Sequence, residues 1–429
     1  MPIRRFAIIA LAIALLLQTG TGCERKPDAT TNADSGAARP ADAAIRAVKP
    51  TLRTDSGITI RMFDTTAFAA TTQYVAEATP IAILDNQDVN SDTSIARVDR
   101  AVFLRDGSFV TYSRMSTHMI VFDSGAKPAR ILARFGTVPG DLGRNQTVAR
   151  SAHDTLVVAD FSNRQVNYYS SQQFVRMTPI TSVVDERADQ LAGVLPDGTL
   201  LLHNGGRIPE QFPNGRSKHD AILMVMNPQG LSGVIAEIPN ITIATMRTGW
   251  DGERTRMPLW LRLGPQAQVI VWDSLIASGN GESYRVQFRN GGGKLVTAIE
   301  INVPPRLTPA SARDADLAYR IAELEYIDGK DAVRGEKLRL RRAWPVADTI
   351  AAFSGFFVTP NNTLWITTGP APGDSTWHAT AFNSRFEMTG RLTFNGQGRP
   401  IGFGDDRVVV RSAGVDEVAT LRVYRFGAK

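Results

Sequence analysis

The feature that most constrains the fold is a recurring unit: an apolar stretch, a tight polar turn, then a second run of β-branched or large apolar residues. It occurs six times, at Ala101–Val110, Ala149–Val158, Ala192–Leu201, Leu259–Val271, Phe356–Trp365 and Pro400–Val409. Asp, Asn and Gly tolerate the positive φ of tight turns, so each unit reads as a β-hairpin. With Asp106, Asp154, Asp197, Gln266, Asn361 and Asp405 as turn markers, the spacings are 48, 43, 69, 95 and 44 residues. Three of the five lie near the roughly 40 to 50 residues of one four-stranded propeller blade. A second hairpin follows in most units, with turns at Asp123–Gly125, Ser170–Ser171, Asn227–Gly230, Asn290–Gly293 and Asn383–Ser384. Two hairpins per unit and six units predict an all-β chain, a six-bladed β-propeller.

The last unit is short of strands. After Asp405-Asp406 only Val408–Arg411 and Thr420–Phe426 remain, so the sixth blade needs a strand from elsewhere. Thr79–Leu84 is the natural donor and Ile58–Met62 its competitor; either closes the ring and covers an open sheet edge. Closure matters because the body has no cysteine for a disulfide. Its stability must come from packing, for which a chain that is 43% hydrophobic has enough material.

The N-terminus reads separately. Arg4 and Arg5 precede an unbroken apolar run of twelve residues, Phe6 to Leu17, which has the charge and length of an export signal. Twelve falls short of the roughly 18 to 20 residues of a membrane helix, and no later segment approaches that length, so a soluble body is expected. Gln18 to Gly22 follow, then Cys23, the one cysteine in the chain. Gly22-Cys23 after an apolar run resembles a bacterial lipoprotein signal, in which the cysteine is acylated and its amine becomes the new N-terminus. Gly20 stands where leucine is more usual in that signal, which keeps ordinary cleavage and secretion as the alternative. Residues 1–22 are thus expected to be a signal peptide. Residues 23–56 form a tether, rich in Ala, Thr, Asp, Pro and Arg and without an aromatic ring, and residues 57–429 the propeller.

Residues 131–166 carry a further signature. Arg134-Phe135-Gly136, Pro139-Gly140-Asp141-Leu142, and Leu156 to Asp160 followed by Asn163-Arg164 and Val166 resemble the NHL-type repeat of six-bladed propellers. Together with the leader, the chain resembles uncharacterised bacterial six-bladed β-propeller lipoproteins. That resemblance implies a fold and a location at the outer membrane or periplasm, and no activity.

Propeller strands alternate in direction, so hairpin turns gather on a first rim and the longer loops on a second. Asn204–Asp220, Asp273–Ser283, Thr368–Ser375 and a longest insertion, Leu307–Trp344, are expected on the second rim, where function concentrates. The insertion has helical character: Thr308-Pro309 suits a helix start, Leu317, Ile321 and Leu324 recur on one face, and Gly329 suits a stop.

Metalloprotease, nucleophile-elbow and Walker A signatures are absent from the sequence. Asp88, Asn90 and Asp92 alternate like the start of a calcium loop, but Thr93 occupies the glycine position. His203 with His219-Asp220 is the one local grouping of histidines, and each is weighed as a ligand or acid–base group against a plain surface role. Arg100, Arg150 and Arg399 are expected to enter the channel mouth from three blades, with Arg254 and Arg256 near a fourth. Guanidinium groups there suit a small carboxylate or phosphate, or they form ordinary inter-blade ion pairs with Asp99, Asp189 or Asp251. The net charge of +6 is spread along the chain, which gives no nucleic-acid footprint. The expected molecule is an envelope-anchored monomer, held to the membrane through Cys23. It binds a small anionic ligand or an envelope protein with its long-loop face, and needs no cofactor or catalytic residue for that. The alternative is a calcium-dependent hydrolase or lactonase, which would need several carboxylates converging on the axis.

Overall fold

The computed structural model describes residues 45–429 except 86–94, 96–97, 113–117, 144, 172, 181–187, 205–215, 231, 249–254, 329–344, 369–373, 397 and 414–418. The leader, Cys23 and most of the expected tether therefore lie outside the described residues, as do the Asp88–Asp92 run, Arg254 and Gly329 to Trp344.

Four N-terminal strands come first: β1 (Thr51–Asp55), β2 (Ile58–Phe63), β3 (Thr72–Ala76) and β4 (Ala82–Leu84), with a short helix α1 (Thr66–Ala70) between β2 and β3. Blade 1 is β5 to β8, at Arg100–Phe103, Phe109–Tyr112, His118–Phe122 and Pro128–Arg134. Blade 2 is β9 to β12, at Gln146–Arg150, Leu156–Asp160, Gln165–Tyr169 and Phe174–Pro179. Blade 3 has five strands, β13 to β17, at Gln190–Val194, Leu200–His203, Arg216–Met226, Ser232–Thr248 and Thr255–Trp260. Blade 4 is β18 to β21, at Gln268–Trp272, Leu275–Gly279, Arg285–Arg289 and Leu295–Ile301. The insertion follows, with the two-residue strands β22 (Arg306–Leu307) and β23 (Thr349–Ile350) paired around helix α2 (Ala310–Asp328). Blade 5 is β24 to β27, at Gly355–Val358, Leu364–Thr367, Thr376–Phe382 and Met388–Asn395. Blade 6 is β28 to β30, at Arg399–Phe403, Arg407–Ala413 and Ala419–Ala428.

The first strands of the six blades touch in a closed cycle, β5 to β9 to β13 to β18 to β24 to β28 and back to β5. Side-chain packing repeats that cycle. Six apolar clusters fill the six spaces between neighbouring blades, because strands such as β6 and β10 are buried on both faces. Phe109 points into the cluster shared by blades 6 and 1, while Val110 and Tyr112, one and three residues on, point into the one shared by blades 1 and 2. The period of two along a strand thus serves two interfaces. The first hairpin turns carry left-handed residues as their chemistry predicts, Gly107 in blade 1, Asp154 in blade 2, Gly198 in blade 3 and Asn362 in blade 5.

Three expectations are corrected. The inner hairpin of blade 4 turns at Asp273 (φ 57°), not at Gln266. Leu259 and Trp260 end β17, the fifth strand of blade 3, and Gly264-Pro265-Gln266 is the connection between blades. Asp273 accordingly lies on the first rim rather than among the second-rim loops. Next, Thr51 to Asp55, expected in the tether, form β1, and the compact unit begins at Ala44. All five residues of β1 are exposed, so no apolar pattern marks the strand. Finally, the N-terminus gives strands to three blades rather than one. β2 runs parallel to β21 (Thr59↔Thr297 to Phe63↔Ile301) with β1 beyond it on blade 4. β3 runs parallel to β27 on blade 5 and touches the end of β30, and β4 pairs with β30 (Leu84↔Leu421) as the fourth strand of blade 6. Residues 51–84 therefore cover the outer edges of three consecutive blades.

Helix α2 starts directly after Pro309, as Thr308-Pro309 predicts, and docks Ala312 and Asp316 against the connection that follows β17. Asp316, nearly buried, accepts from Arg262 Nε and Nη2 at 3.3 and 2.9 Å. Among the described residues no helix is long and apolar enough to cross a membrane.

Candidate functional site

A cavity of about 610 Å³ runs along the axis and takes lining residues from the inner strands of all six blades. Inner strands enter at the second rim, so their first residues form its mouth: Arg100, Gln190, Gln268 and Arg399. The walls below are apolar, with Val148, Val269, Phe356 and Phe403 among them.

The other end is closed. Arg150 ends β9 instead of starting it, so its side chain meets the cavity from the first rim, 11% exposed. Its Nη1 donates to Asp154 Oδ1 at 3.3 Å and its Nη2 to the Thr359 carbonyl at 2.9 Å. Thr359 opens the hairpin turn of blade 5, which stands opposite blade 2 in a ring of six, so this guanidinium spans the axis. Desolvation lowers its pKa below the usual arginine value, against the pull of Asp154. The turns around it are tied together: Arg105 N–H donates to Asp154, Asn361 N–H to Asp405, and Arg407 to the Ser124 carbonyl.

Blade 3 shapes the second-rim mouth. Asp220 pairs with Pro239 but His219 with Ile241, which leaves Asn240 as the extra residue of a β-bulge. Bulges re-aim side chains, and this one sets Asn240 in the cavity wall. Asn240 is only 6% exposed; its Oδ1 accepts the Ala267 N–H at 2.9 Å, and its Nδ2, shielded from solvent, has no partner among the described residues. Nearby, Asn204 Oδ1 accepts the Ile222 N–H at 2.7 Å. Trp260, at the end of β17, lines the same mouth with 45% of its surface exposed. The side chains of Gln190, Gln266 and Gln268 line it too and make no hydrogen bond among the described residues.

Of the residues expected at the mouth, Arg100 and Arg399 are brought together there, on neighbouring blades 1 and 6. Arg100 is exposed with no ion-pair partner among the described residues, whereas Arg399 Nη2 lies 3.9 Å from Asp99 Oδ1. Arg150 is separated from them by the length of the channel, because β9 begins at Gln146. His203 lines the cavity, nearly buried, with Nδ1 3.2 Å from the Asn204 carbonyl oxygen. His219 is not grouped with it. His203 pairs with Leu223, four residues beyond His219, which places His219 about 13 Å along the strand; its Nε2 faces Ser217 Oγ at 2.8 Å. Asn240, Trp260, Gln266 and Gln268 were not anticipated at the mouth. The one sequence signal for Asn240 was Pro239 inside a long apolar run, since proline within a strand marks an edge or a bulge.

The donor set does not fit calcium. Of the described lining residues only Asp99 is a carboxylate, and it faces Arg399; a calcium site asks for six to eight oxygens, several of them anionic. Among the described residues no group of three His, Cys, Asp or Glu side chains converges.

No protein-family model matches the sequence, and no curated protein does so at a significant level. Solved structures similar to this chain include a candidate exported protein from Bacteroides fragilis, with 10% identity, 86% of this chain and 99% of that one covered, and a TM-score of 0.43. A member of the DUF4221 family from Bacteroides vulgatus gives 10% identity, 89% and 99% coverage and a TM-score of 0.42. The virginiamycin B lyase of Staphylococcus aureus gives 8% identity, 83% and 100% coverage and a TM-score of 0.40.

Proposed function

We propose that this chain is an exported, envelope-anchored binding propeller that takes a small polar ligand at the second-rim mouth of its axial cavity. The observation that carries the reading is the polar mouth of the axial cavity, where Arg100, Gln190, Gln266 and Gln268 line a space of about 610 Å³. The free amides of Gln190, Gln266 and Gln268 extend the same polar surface. The size also suits this role, since pockets for small ligands run from about 300 to 1,000 Å³. The address rests on Arg4-Arg5, the apolar run and Cys23.

Calorimetric titration of the mature chain with a panel of polyols, sugars, carboxylates and phosphates tests the reading, with lactone and ester turnover followed in the presence of calcium. Saturable binding of at least one compound without turnover supports it. Calcium-dependent hydrolysis that disappears with chelator overturns it, as does failure of every compound to bind. Fractionation of cells expressing Cys23→Ala tests the anchor: the variant should leave the membrane fraction or stall in processing.

A further inference from the structure

The groups at the mouth also name a ligand class. Resting on the binding reading above, we infer that the cavity takes a saccharide bearing one carboxylate, a uronic-acid type of ring. Blades 3 and 4 supply Trp260, Asn240, Gln190, Gln266 and Gln268. Free glutamine amides both donate and accept, which matches a hydroxyl, itself donor and acceptor, better than a purely accepting anion. The half-exposed indole face of Trp260 carries the negative side of its quadrupole, a surface for the weakly positive C–H face of a pyranose.

The charge lies across the mouth. Blade 1 stands opposite blade 4 in the ring, so Arg100 faces the amide-rich side. Among the described lining residues Arg100, Arg399 and Asp99 sum to one positive charge; Arg399 lies 3.9 Å from Asp99, and Arg100 has no ion-pair partner among the described residues. One net positive charge matches a monoanionic carboxylate better than a phosphate monoester near two negative charges, and a guanidinium binds a carboxylate in a bidentate fashion.

The experiment is calorimetric titration of the mature chain at low salt with glucuronate, galacturonate, the corresponding neutral sugars and simple carboxylates such as succinate. Uronates should bind about tenfold or more tightly than their neutral counterparts, the step expected for one charge-assisted hydrogen bond. Arg100→Gln should erase that preference, bringing uronate and neutral-sugar affinities together. Trp260→Ala, at an exposed position of the mouth, should weaken both sugars about threefold to tenfold. Binding of a non-sugar compound with no saccharide binding overturns this inference and leaves the binding reading standing. Equal uronate and neutral-sugar affinities, or uronate binding indifferent to both Arg100→Gln and Trp260→Ala, overturn it as well. If nothing in the panel binds, the binding reading itself falls.

Discussion

Removing the Asp160 carboxylate should cost the fold several hydrogen bonds at once. Asp160 is 0% exposed at the end of β10, and its carboxylate accepts four donors. Oδ1 takes the N–H groups of Ser162 and Asn163 at 3.1 and 3.0 Å; Oδ2 takes Asn163 Nδ2 at 3.0 Å and the Gly143 N–H. Asn163 Nδ2 also donates to the Gly136 carbonyl. The carboxylate therefore clasps the connection from blade 1 to the turn of blade 2. A hydrogen bond to a charged group contributes about 1.5 to 3 kcal/mol, but the donors are coupled and the two turn N–H groups regain water, so Asp160→Ala should cost about 3 to 5 kcal/mol. An unfolding entropy of about 2.1 cal/mol/K per residue over roughly 385 residues is about 0.8 kcal/mol/K, which converts the loss to a Tm lowered by about 4 to 6 °C. Asp160→Asn keeps one accepting oxygen and turns an NH₂ toward the remaining donors, and should fall between the two. Differential scanning calorimetry of the three proteins decides. An alanine variant that unfolds within about 1 °C of wild type would refute the clasp.

Arg150→Ala removes the guanidinium that joins Asp154 to Thr359 and should lower stability by about 2 kcal/mol in chemical denaturation, while ligand binding at the opposite mouth is retained. Ile81→Pro deletes the N–H that donates to the Val423 carbonyl beside β4, so the outer edge of blade 6 should loosen by about 1 to 3 kcal/mol, read as faster amide exchange in β30. His378 has its pKa lowered, chiefly by desolvation and then by Arg391. The unfolded chain therefore takes up the proton first, near pH 6.5, and the stability present above that value is lost as pH falls toward the lower folded pKa. His378→Gln should flatten this part of the stability-versus-pH curve, and a curve that keeps its slope would assign the loss to other groups.

The turns made the architecture legible. Five of the six inner hairpins could be placed because Asp, Asn and Gly mark tight turns by their chemistry alone, four of them with a left-handed residue in the turn. The sixth was misplaced for the same reason: Gly264-Pro265-Gln266 has turn chemistry yet connects two blades, while the true turn at Asp273 follows a tryptophan and looks less like one. The N-terminal strands were half legible. Thr79–Leu84 and Ile58–Met62 were both recognised as spare strands, but pairing across more than 200 residues, such as Thr59 with Thr297, leaves no local trace. At the site, the placing of Arg100 and Arg399 followed from where inner strands begin. Arg150 did not, because a four-residue error in a strand start carries a side chain to the other end of a channel. Asn240 reaches the cavity wall only through a one-residue register shift, which neither periodicity nor composition encodes.

The two rims of the ring are built differently, and that difference fits the proposed division of labour. At the first rim, short turns bind one another through Asp154, Asp405 and Arg407, and Arg150 closes the axis. At the second rim, the joint between blades 3 and 4 is Asn240 Oδ1 on Ala267 N–H, backed by Arg262 on Asp316 of α2. Asn240, in the cavity wall, is thus also the residue whose oxygen holds two blades in register. A ligand that lies against it meets a side chain already fixed by the fold, so little rotamer freedom is lost when it binds. In a body without cysteine, the hydrogen bonds that hold the ring also preorganise its mouth.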